Sequence, residues 1–93
     1  MSIQSFRSRD TARLYCGEYV PKLVRIRYVA QRKLQMLDDA DTLDFLRTSR
    51  GNRLEMLKGD RAGQFSIRVN DQYRICFRWT DAGPEEVEIV DYH

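Results

Sequence analysis

The stretch QFSIRVNDQYRICFRW, residues 64–79, decides the fold of this chain. Apolar and polar side chains alternate through each half of it, and a period of two is typical of β-strands with one buried face. The apolar positions are Phe65, Ile67, Val69, Tyr73, Ile75, Phe77 and Trp79. We therefore predict two strands, residues 65–69 and 73–79, that pair as a hairpin.

The length of the turn between these strands follows from the same pattern, because directly opposed residues of an antiparallel pair share a face. A two-residue loop would oppose the polar Arg68 to the apolar Ile75. A three-residue loop at 70–72 instead opposes Val69 to Tyr73. We predict the three-residue loop, which gathers the arginines of the hairpin on its second face. These are Arg68, Arg74 and Arg78.

Weaker strand signals flank the hairpin on both sides. The turn residues at 81–84 precede a third strand, residues 86–90, with Val87 and Ile89 pointing inward. Two further segments, residues 3–6 and 53–57, are weaker strand candidates.

The first half of the chain has helical periodicity. Asp10 and Thr11 are N-cap candidates for a short helix that ends at Gly17. Apolar residues then recur at steps of three and four, which predicts one long helix over residues 21–39. They are Leu23, Ile26, Ala30, Leu34 and Leu37. A short helical turn follows at residues 43–46.

The order of these elements predicts an α+β fold, with two N-terminal helices packed on a mostly antiparallel β-sheet. The chain has 93 residues and no repeat or Pro/Gly/Ser linker, so we expect residues 1–93 to form a single domain. A domain of this size has little room for a deep catalytic cavity, which favours a shallow surface site.

Composition excludes several classes of protein. The mean hydropathy of −0.62 and the short apolar runs exclude a membrane span, and the first ten residues lack the apolar region of a secretory signal. Cys16 and Cys76 form no CxxC pair, so we expect two reduced, buried thiols in a cytoplasmic protein. A single histidine makes a histidine-based metal site improbable, and we expect no cofactor.

The net charge of +2 conceals an uneven distribution. Residues 47–78 contain eight basic side chains and three acids, whereas residues 79–93 contain five acids and no lysine or arginine. Arginine-rich strands on the sheet face away from the helices are typical of phosphate binding. The alternative is that these arginines pair with the C-terminal acids across the sheet.

Two further segments could contribute chemistry. Lys58 and Arg61 belong to the tight polar loop LKGDRAG, residues 57–63, which could also be a plain turn. The chain ends Asp91-Tyr92-His93 directly after a predicted strand. The imidazole of His93 has a pKa range suited to proton transfer, although a terminal histidine can equally be a frayed residue.

Together, LKGDRAGQFSIRVNDQYRICFRW and the terminal VDYH resemble the HigB-type branch of the RelE/ParE toxin superfamily, and SIQSFR and QRKLQMLDDADTLDFL fit the same pattern. The resemblance implies the toxin of a type II toxin-antitoxin pair with a fold similar to microbial ribonucleases. It implies cleavage of messenger RNA in the ribosomal A site without a metal. It also implies a helix-turn-helix antitoxin similar to HigA, through which the complex represses its own promoter.

The resemblance assigns functional positions residue by residue. The catalytic positions fall on Lys58, Arg74, Asp91, Tyr92 and His93. Arg61 and Arg68 match supporting RNA-binding positions, and we add Arg53 and Arg78 from the same basic region. Many relatives carry a histidine three residues before the loop lysine, where this chain has Glu55. We therefore expect a weaker or slower nuclease.

Cleavage of RNA without a metal uses the ribose 2′-oxygen as nucleophile and needs a base, an acid and cations near the phosphate. We assign Arg74 and Lys58 to the transition-state charge and His93 to acid-base chemistry. Tyr92 would hold the ribose or base, and Asp91 would orient its neighbours. The 70S ribosome would supply much of the substrate geometry, so free RNA should be cut poorly.

Two alternatives remain open. One is a toxin similar to ParE, which inhibits DNA gyrase by protein contact. The other is a catalytically silent RNA-binding or ribosome-binding module, in which the arginine face binds phosphate and His93 is incidental.

Overall fold

The structure is a computed structural model that describes residues 2–92. Three α-helices lie in the first half of the chain: α1 (Arg9–Tyr15), α2 (Arg27–Asp39) and α3 (Leu43–Thr48). Four strands follow: β1 (Glu55–Met56), β2 (Phe65–Arg68), β3 (Tyr73–Thr80) and β4 (Gly83–Asp91). Short 3₁₀ helices occupy Pro21–Ile26, Arg50–Asn52 and Gly59–Arg61.

The strands form one antiparallel sheet in the order β1-β2-β3-β4. Ile67 lies opposite Ile75, and the Val69 N–H donates to the Tyr73 carbonyl at 3.0 Å, which confirms the three-residue turn. The Asn70 side chain closes this turn by accepting hydrogen bonds from the N–H groups of Gln72 and Tyr73 at 2.8 and 2.7 Å. The predicted hairpin register is therefore correct.

The pairing of β3 with β4 contains a β-bulge. The register shifts between Cys76 and Arg78, and Glu86 on β4 has a left-handed backbone with φ of +52°. The sequence predicts a strand that begins at residue 86, but β4 begins at Gly83. The bulge allows pairing to continue beyond the shift, so the predicted turn at 81–84 is shorter than expected.

The N-terminal segment is not the strand predicted at residues 3–6. A parallel bridge joins Phe6 to Val87. Backbone hydrogen bonds tie this segment to the outer edge of β4, including Gln4 N–H to the Pro84 carbonyl at 2.7 Å and Val87 N–H to the Ser5 carbonyl at 3.0 Å. The predicted strand at 53–57 is likewise shorter and contains only Glu55–Met56.

The cap of α1 differs from the prediction. Ser8, not Asp10 or Thr11, is the N-cap, and its side chain accepts a hydrogen bond from the Thr11 N–H at 3.3 Å. Thr11 is buried because its hydroxyl accepts from the Ile89 N–H of β4 at 3.0 Å. Asp10 lies in the first turn and forms an ion pair with Lys22 at 2.9 Å.

The helical segment at 21–39 is divided. Its first part is the 3₁₀ helix Pro21–Ile26, and α2 begins only at Arg27. The predicted apolar face is nevertheless buried throughout its length, at Leu23, Ile26, Ala30, Leu34 and Leu37. The predicted short helical turn corresponds to α3, whose N-cap Thr42 accepts from the Phe45 N–H at 3.2 Å.

Helices and sheet share one hydrophobic cluster. The sheet contributes one face of its alternating strands, Ile67, Ile75, Phe77 and Val87, all fully buried. The architecture is therefore α+β, as predicted, with three α-helices instead of two. In residues 2–92, no helix has the length and apolar character required to cross a bilayer.

Candidate active site

The second face of the sheet, the one opposite the hydrophobic cluster, carries a row of aligned side chains. Strand register places Glu55, Ser66, Cys76 and Glu88 opposite one another across all four strands. Arg74 lies on the same face because it is two residues from Cys76 on β3. We call this surface the polar sheet face.

Arg74 is the central residue of the polar sheet face. The resemblance assigned it to the catalytic positions, and the residue is only 9% exposed. Its Nε donates to Oγ of Ser66 at 2.7 Å, and its Nη2 donates to the carbonyl oxygens of Arg53 at 2.6 Å and Ser66 at 3.2 Å. The guanidinium is therefore held by β2 and by the segment that leads into β1.

Arg53 reaches Arg74 through an unusual backbone conformation. Its φ of +43° and ψ of +57° are left-handed, a region that residues other than glycine adopt at a cost. This conformation belongs to the residue whose carbonyl oxygen accepts from Nη2 of Arg74. The Arg53 side chain, which we predicted to bind RNA, is exposed.

One nitrogen of the Arg74 guanidinium is left available. Nη1 has no hydrogen-bond partner within residues 2–92. In the same range no buried side-chain nitrogen or oxygen lacks a hydrogen-bond partner. The guanidinium is thus fixed through Nε and Nη2 and can donate a hydrogen bond from Nη1.

The predicted polar loop is closed by a hydrogen bond from the Leu57 N–H to the Gln64 carbonyl at 2.8 Å. Arg61 extends from this loop to the polar sheet face, where it donates to Gln64 at 3.1 Å and to Glu88 at 3.2 Å. Lys58 begins the 3₁₀ turn and is exposed. Its ammonium has no hydrogen bond or ion pair with any residue in the range 2–92.

Two more of the predicted RNA-binding arginines, Arg68 and Arg78, are also paired. Arg68 forms an ion pair with Asp71 in the hairpin turn. Arg78 donates through Nε to Glu86 at 2.7 Å. A Cβ at position 63 would lie 2.9 Å from Nη1 of Arg78, so Gly63, with φ of +89°, lets this arginine lie against the loop.

These contacts answer one question left open by the sequence. Arg61 pairs with Glu88 and Arg78 pairs with Glu86, so these two arginines do pair with C-terminal acids across the sheet. Within residues 2–92, no such pairing engages Lys58, the Arg53 side chain or Nη1 of Arg74.

The C-terminal residues lie beside the same face. The Tyr92 hydroxyl is 3.7 Å from Sγ of Cys76, and the Tyr92 N–H donates to the Gln72 carbonyl at 2.6 Å. Asp91 accepts from Nε2 of Gln72 at 3.0 Å. His93, our candidate acid-base group, lies outside the described residues.

Burial raises the pKa values of both Cys76 and Tyr92. It raises the pKa of the Cys76 thiol, and the hydrogen bond between this thiol and the Tyr92 hydroxyl lowers that pKa by less. Burial also raises the pKa of the Tyr92 phenol, with the contact to Cys76 acting in the same direction. Both groups therefore remain neutral at physiological pH. Cys16, which we expected to be buried, is exposed, and both thiols are free.

The sequence indicated some members of this site and missed others. Glu55, the residue that replaces the relatives' histidine, is exposed and aligned with Ser66. We did not predict roles for Ser66, Gln64 or Glu88, although the alternation of β2 already placed Ser66 on the face of Arg74. In residues 2–92, no group of three His, Cys, Asp or Glu side chains could hold a metal ion.

The fold is α+β, and its polar sheet face carries Arg74 with Tyr92 beside it. The profile of one family, described as RelE-like toxin of type II toxin-antitoxin system HigB, matches residues 4–93. The chain belongs to this HigB-like toxin family.

Two curated relatives match part of the chain. Toxin HigB-1 of Vibrio cholerae is 52% identical over 50 residues, which cover 54% of this chain and 53% of that protein. A Haemophilus influenzae protein described as uncharacterized is 37% identical over 51 residues, covering 55% of this chain and 50% of its own length. The chain thus spans about half the length of the curated relatives that it matches.

Proposed function

We propose that this toxin is a ribosome-dependent, metal-independent endoribonuclease that inhibits translation by cleaving messenger RNA in the A site. The observation that carries the proposal is the fixed guanidinium of Arg74, which is held by three hydrogen bonds while Nη1 has no hydrogen-bond partner within residues 2–92. The proposal also assigns the whole activity to one domain, residues 1–93, with a fold similar to microbial ribonucleases.

Attack of the ribose 2′-oxygen on the adjacent phosphorus builds negative charge on the phosphate oxygens. Donors that are already oriented stabilise this charge without reorganising during the reaction. Nη1 of Arg74 meets that requirement because Ser66 and Arg53 fix the rest of the guanidinium. Lys58 adds a second cation from the loop, and its ammonium is free to approach a phosphate.

The acid-base groups would come from the C-terminus. His93 is the best candidate for moving the proton of the 2′-hydroxyl or of the leaving 5′-oxygen. Tyr92, whose raised pKa keeps the phenol protonated, can donate a hydrogen bond to ribose or base. Asp91 would orient these groups. Glu55 is a further candidate base on the same face.

RNA binding would use the arginines around the site. Arg68 lies directly opposite Arg74 on β2, and Arg53 contacts Arg74 through its carbonyl oxygen. Arg61 reaches the same face from the loop, and Arg78 lies further along β3. Partly exposed ion pairs contribute about 0 to 1 kcal/mol each, so phosphate oxygens can replace the carboxylate partners at small cost. Replacement would leave Asp71, Glu86 and Glu88 to be solvated.

The family implies an antitoxin partner. We propose that this partner is a HigA-like helix-turn-helix protein and that it connects the toxin to operator DNA. The 70S ribosome and its messenger RNA would be the targets, which places the activity in the cytoplasm.

Primer extension on translated messenger RNA tests the proposal. Wild-type protein should produce cuts only with translating ribosomes and much weaker cuts on free RNA. Arg74→Ala and deletion of His93 should each remove the cuts and the growth arrest. If arrest persists with both folded variants, or if the wild type produces no cuts, the nuclease function is wrong.

A growth inhibitor that acts by protein contact, as ParE-like toxins do on gyrase, is a second candidate. One observation favours it, namely that Arg61, Arg68 and Arg78 are already neutralised by acidic partners. This candidate predicts growth arrest without messenger RNA cleavage and no loss of toxicity in Arg74→Ala.

A further inference from the structure

We infer that Asn52, held by Lys33, is a positioning residue for Arg74 and thereby joins the helices to the polar sheet face. We predicted no role for Asn52 or for Lys33 from the sequence, and neither lies on the polar sheet face. The effect on catalysis rests on the proposed nuclease function, whereas the effect on the Arg74 side chain can be measured without it.

Asn52 is fully buried and all of its side-chain polar atoms are engaged. Its Nδ2 donates to the Leu46 carbonyl at 3.0 Å, close to the end of α3. Its Oδ1 accepts from Nζ of Lys33 on α2 at 2.5 Å. The side chain therefore fixes the 3₁₀ turn Arg50–Asn52 against two helices at once.

Lys33 is an energetically unfavourable choice for holding Asn52, because its ammonium must be buried. This indicates a specific role for the ammonium. It is 6% exposed, desolvation lowers the pKa of its ammonium, and no carboxylate pairs with it among residues 2–92. Buried lysines without an acidic partner are rare because burial disfavours the charged form. Its one hydrogen bond goes to Asn52, so the specific contribution of the ammonium is to hold that amide.

Arg53, the next residue in the chain, connects the anchored Asn52 to Arg74. Arg53 is left-handed, and such a conformation persists only where the surrounding structure imposes it. With Asn52 locked on one side and β1 paired on the other, the Arg53 carbonyl is turned toward Nη2 of Arg74 at 2.6 Å. That bond sets the direction in which Nη1 points.

A matched pair of substitutions at position 53 separates the carbonyl from the side chain. Arg53→Gly removes the side chain but adopts a left-handed backbone readily, whereas Arg53→Val removes the same charge and disfavours that backbone. The Nε–H and Nη–H signals of Arg74 in ¹H–¹⁵N spectra should match the wild type in Arg53→Gly and shift in Arg53→Val. Equal spectra in the two variants would overturn the inference.

Asn52→Ala tests the anchor itself. It should shift the Arg74 signals and lower kcat for ribosome-dependent cleavage about tenfold with KM unchanged, because the lost orientation acts on the transition state. The control is Leu14→Ala, a core truncation on α1 that should lower stability but leave the Arg74 signals in place. If Asn52→Ala does not fold, the Arg74 signals are measured in Lys33→Met instead. That substitution removes both the hydrogen bond to Oδ1 of Asn52 and the buried charge.

Two results would be decisive against this role. Arg74 signals that remain at their wild-type positions in Asn52→Ala, or in Lys33→Met where that variant is used, would show that the anchor is purely structural. Wild-type protein that does not cleave RNA would instead refute the proposed function, and the spectra would still decide whether Asn52 positions Arg74.

Discussion

Nε of Arg74 on β3 donates a hydrogen bond of 2.7 Å to the hydroxyl of Ser66 on β2. The two residues are diagonal neighbours on one face of the sheet, since Ser66 lies directly opposite Cys76. A small hydroxyl on the adjacent strand thus helps to fix the plane of the guanidinium, together with the carbonyl oxygens of Arg53 and Ser66.

Arg74→Lys should lose nearly as much cleavage activity as Arg74→Ala, with both reduced about 100-fold or more. A lysine retains the charge but cannot contact Ser66 and the Arg53 carbonyl while also presenting a donor to the phosphate. Single-turnover cleavage on programmed ribosomes measures the effect. Activity of Arg74→Lys within a few-fold of the wild type would show that charge alone suffices.

Ser66→Ala should lower the free energy of unfolding by about 1 to 3 kcal/mol, because it leaves the Nε–H of a buried guanidinium unpaired. Ser5→Ala is the matched control. It also removes a hydroxyl acceptor, the one that accepts from the Glu86 N–H at 2.9 Å, but at an exposed position where water can replace it. Denaturant unfolding of both variants provides the comparison, and equal losses would contradict this account of Ser66.

Thr11→Val should destabilise the protein by about 1 to 3 kcal/mol, because it preserves shape but leaves the Ile89 N–H without an acceptor. Thr11→Ser keeps that acceptor and should lose only the buried methyl group, about 0.8 kcal/mol. Urea unfolding should therefore rank serine above valine in stability. The reverse order would show that packing at Thr11 outweighs its hydrogen bond to β4.

Stability should fall as the pH rises above about 8.5, where the Cys76 thiol of the unfolded chain begins to lose its proton. Burial raises the pKa of this thiol in the folded state, so the folded protein retains the proton that the unfolded chain releases. This contribution to stability is complete below that pH and is lost as the pH rises toward the folded-state pKa. Unfolding measured from pH 7 to 10 should show the decline.

The matched variants for that experiment are the two cysteines. Cys76→Ala should flatten the decline, whereas Cys16→Ala, which removes an exposed thiol, should keep the wild-type slope. A decline that is unchanged in Cys76→Ala would assign the pH dependence to other groups.

Alternation predicted the faces of the hairpin correctly because each strand has one strongly apolar side. Because Ile67 and Ile75 must face the same hydrophobic cluster, they lie opposite each other, and this pairing requires the three-residue turn. The apolar face of the 21–39 segment was predictable for the same reason, since burial follows side-chain spacing. The division of that segment into a 3₁₀ helix and α2 leaves the buried positions nearly unchanged, so spacing alone does not reveal it.

Burial of Arg74 could not be predicted in this way. Alternation determines which face a side chain occupies, but not what covers that face. Arg74 is contacted there by the Arg53 carbonyl, which a left-handed backbone with no signature in an arginine turns toward it. The C-terminal residue Tyr92 lies against Cys76 on the same face. The bulge at Glu86 is equally hidden, because a left-handed glutamate is an exception to the usual preference for glycine or asparagine.

The N-terminal segment that runs along β4 has a consequence for self-association. Sheets with long unpaired edges provide templates for strand addition by other copies of a chain. Here Ser5 and its neighbours occupy the outer edge of β4, and the opposite edge, in residues 2–92, is the two-residue strand β1. The described residues thus present little unpaired strand backbone to another copy of the chain, so the folded protein should resist sheet extension into fibrous aggregates.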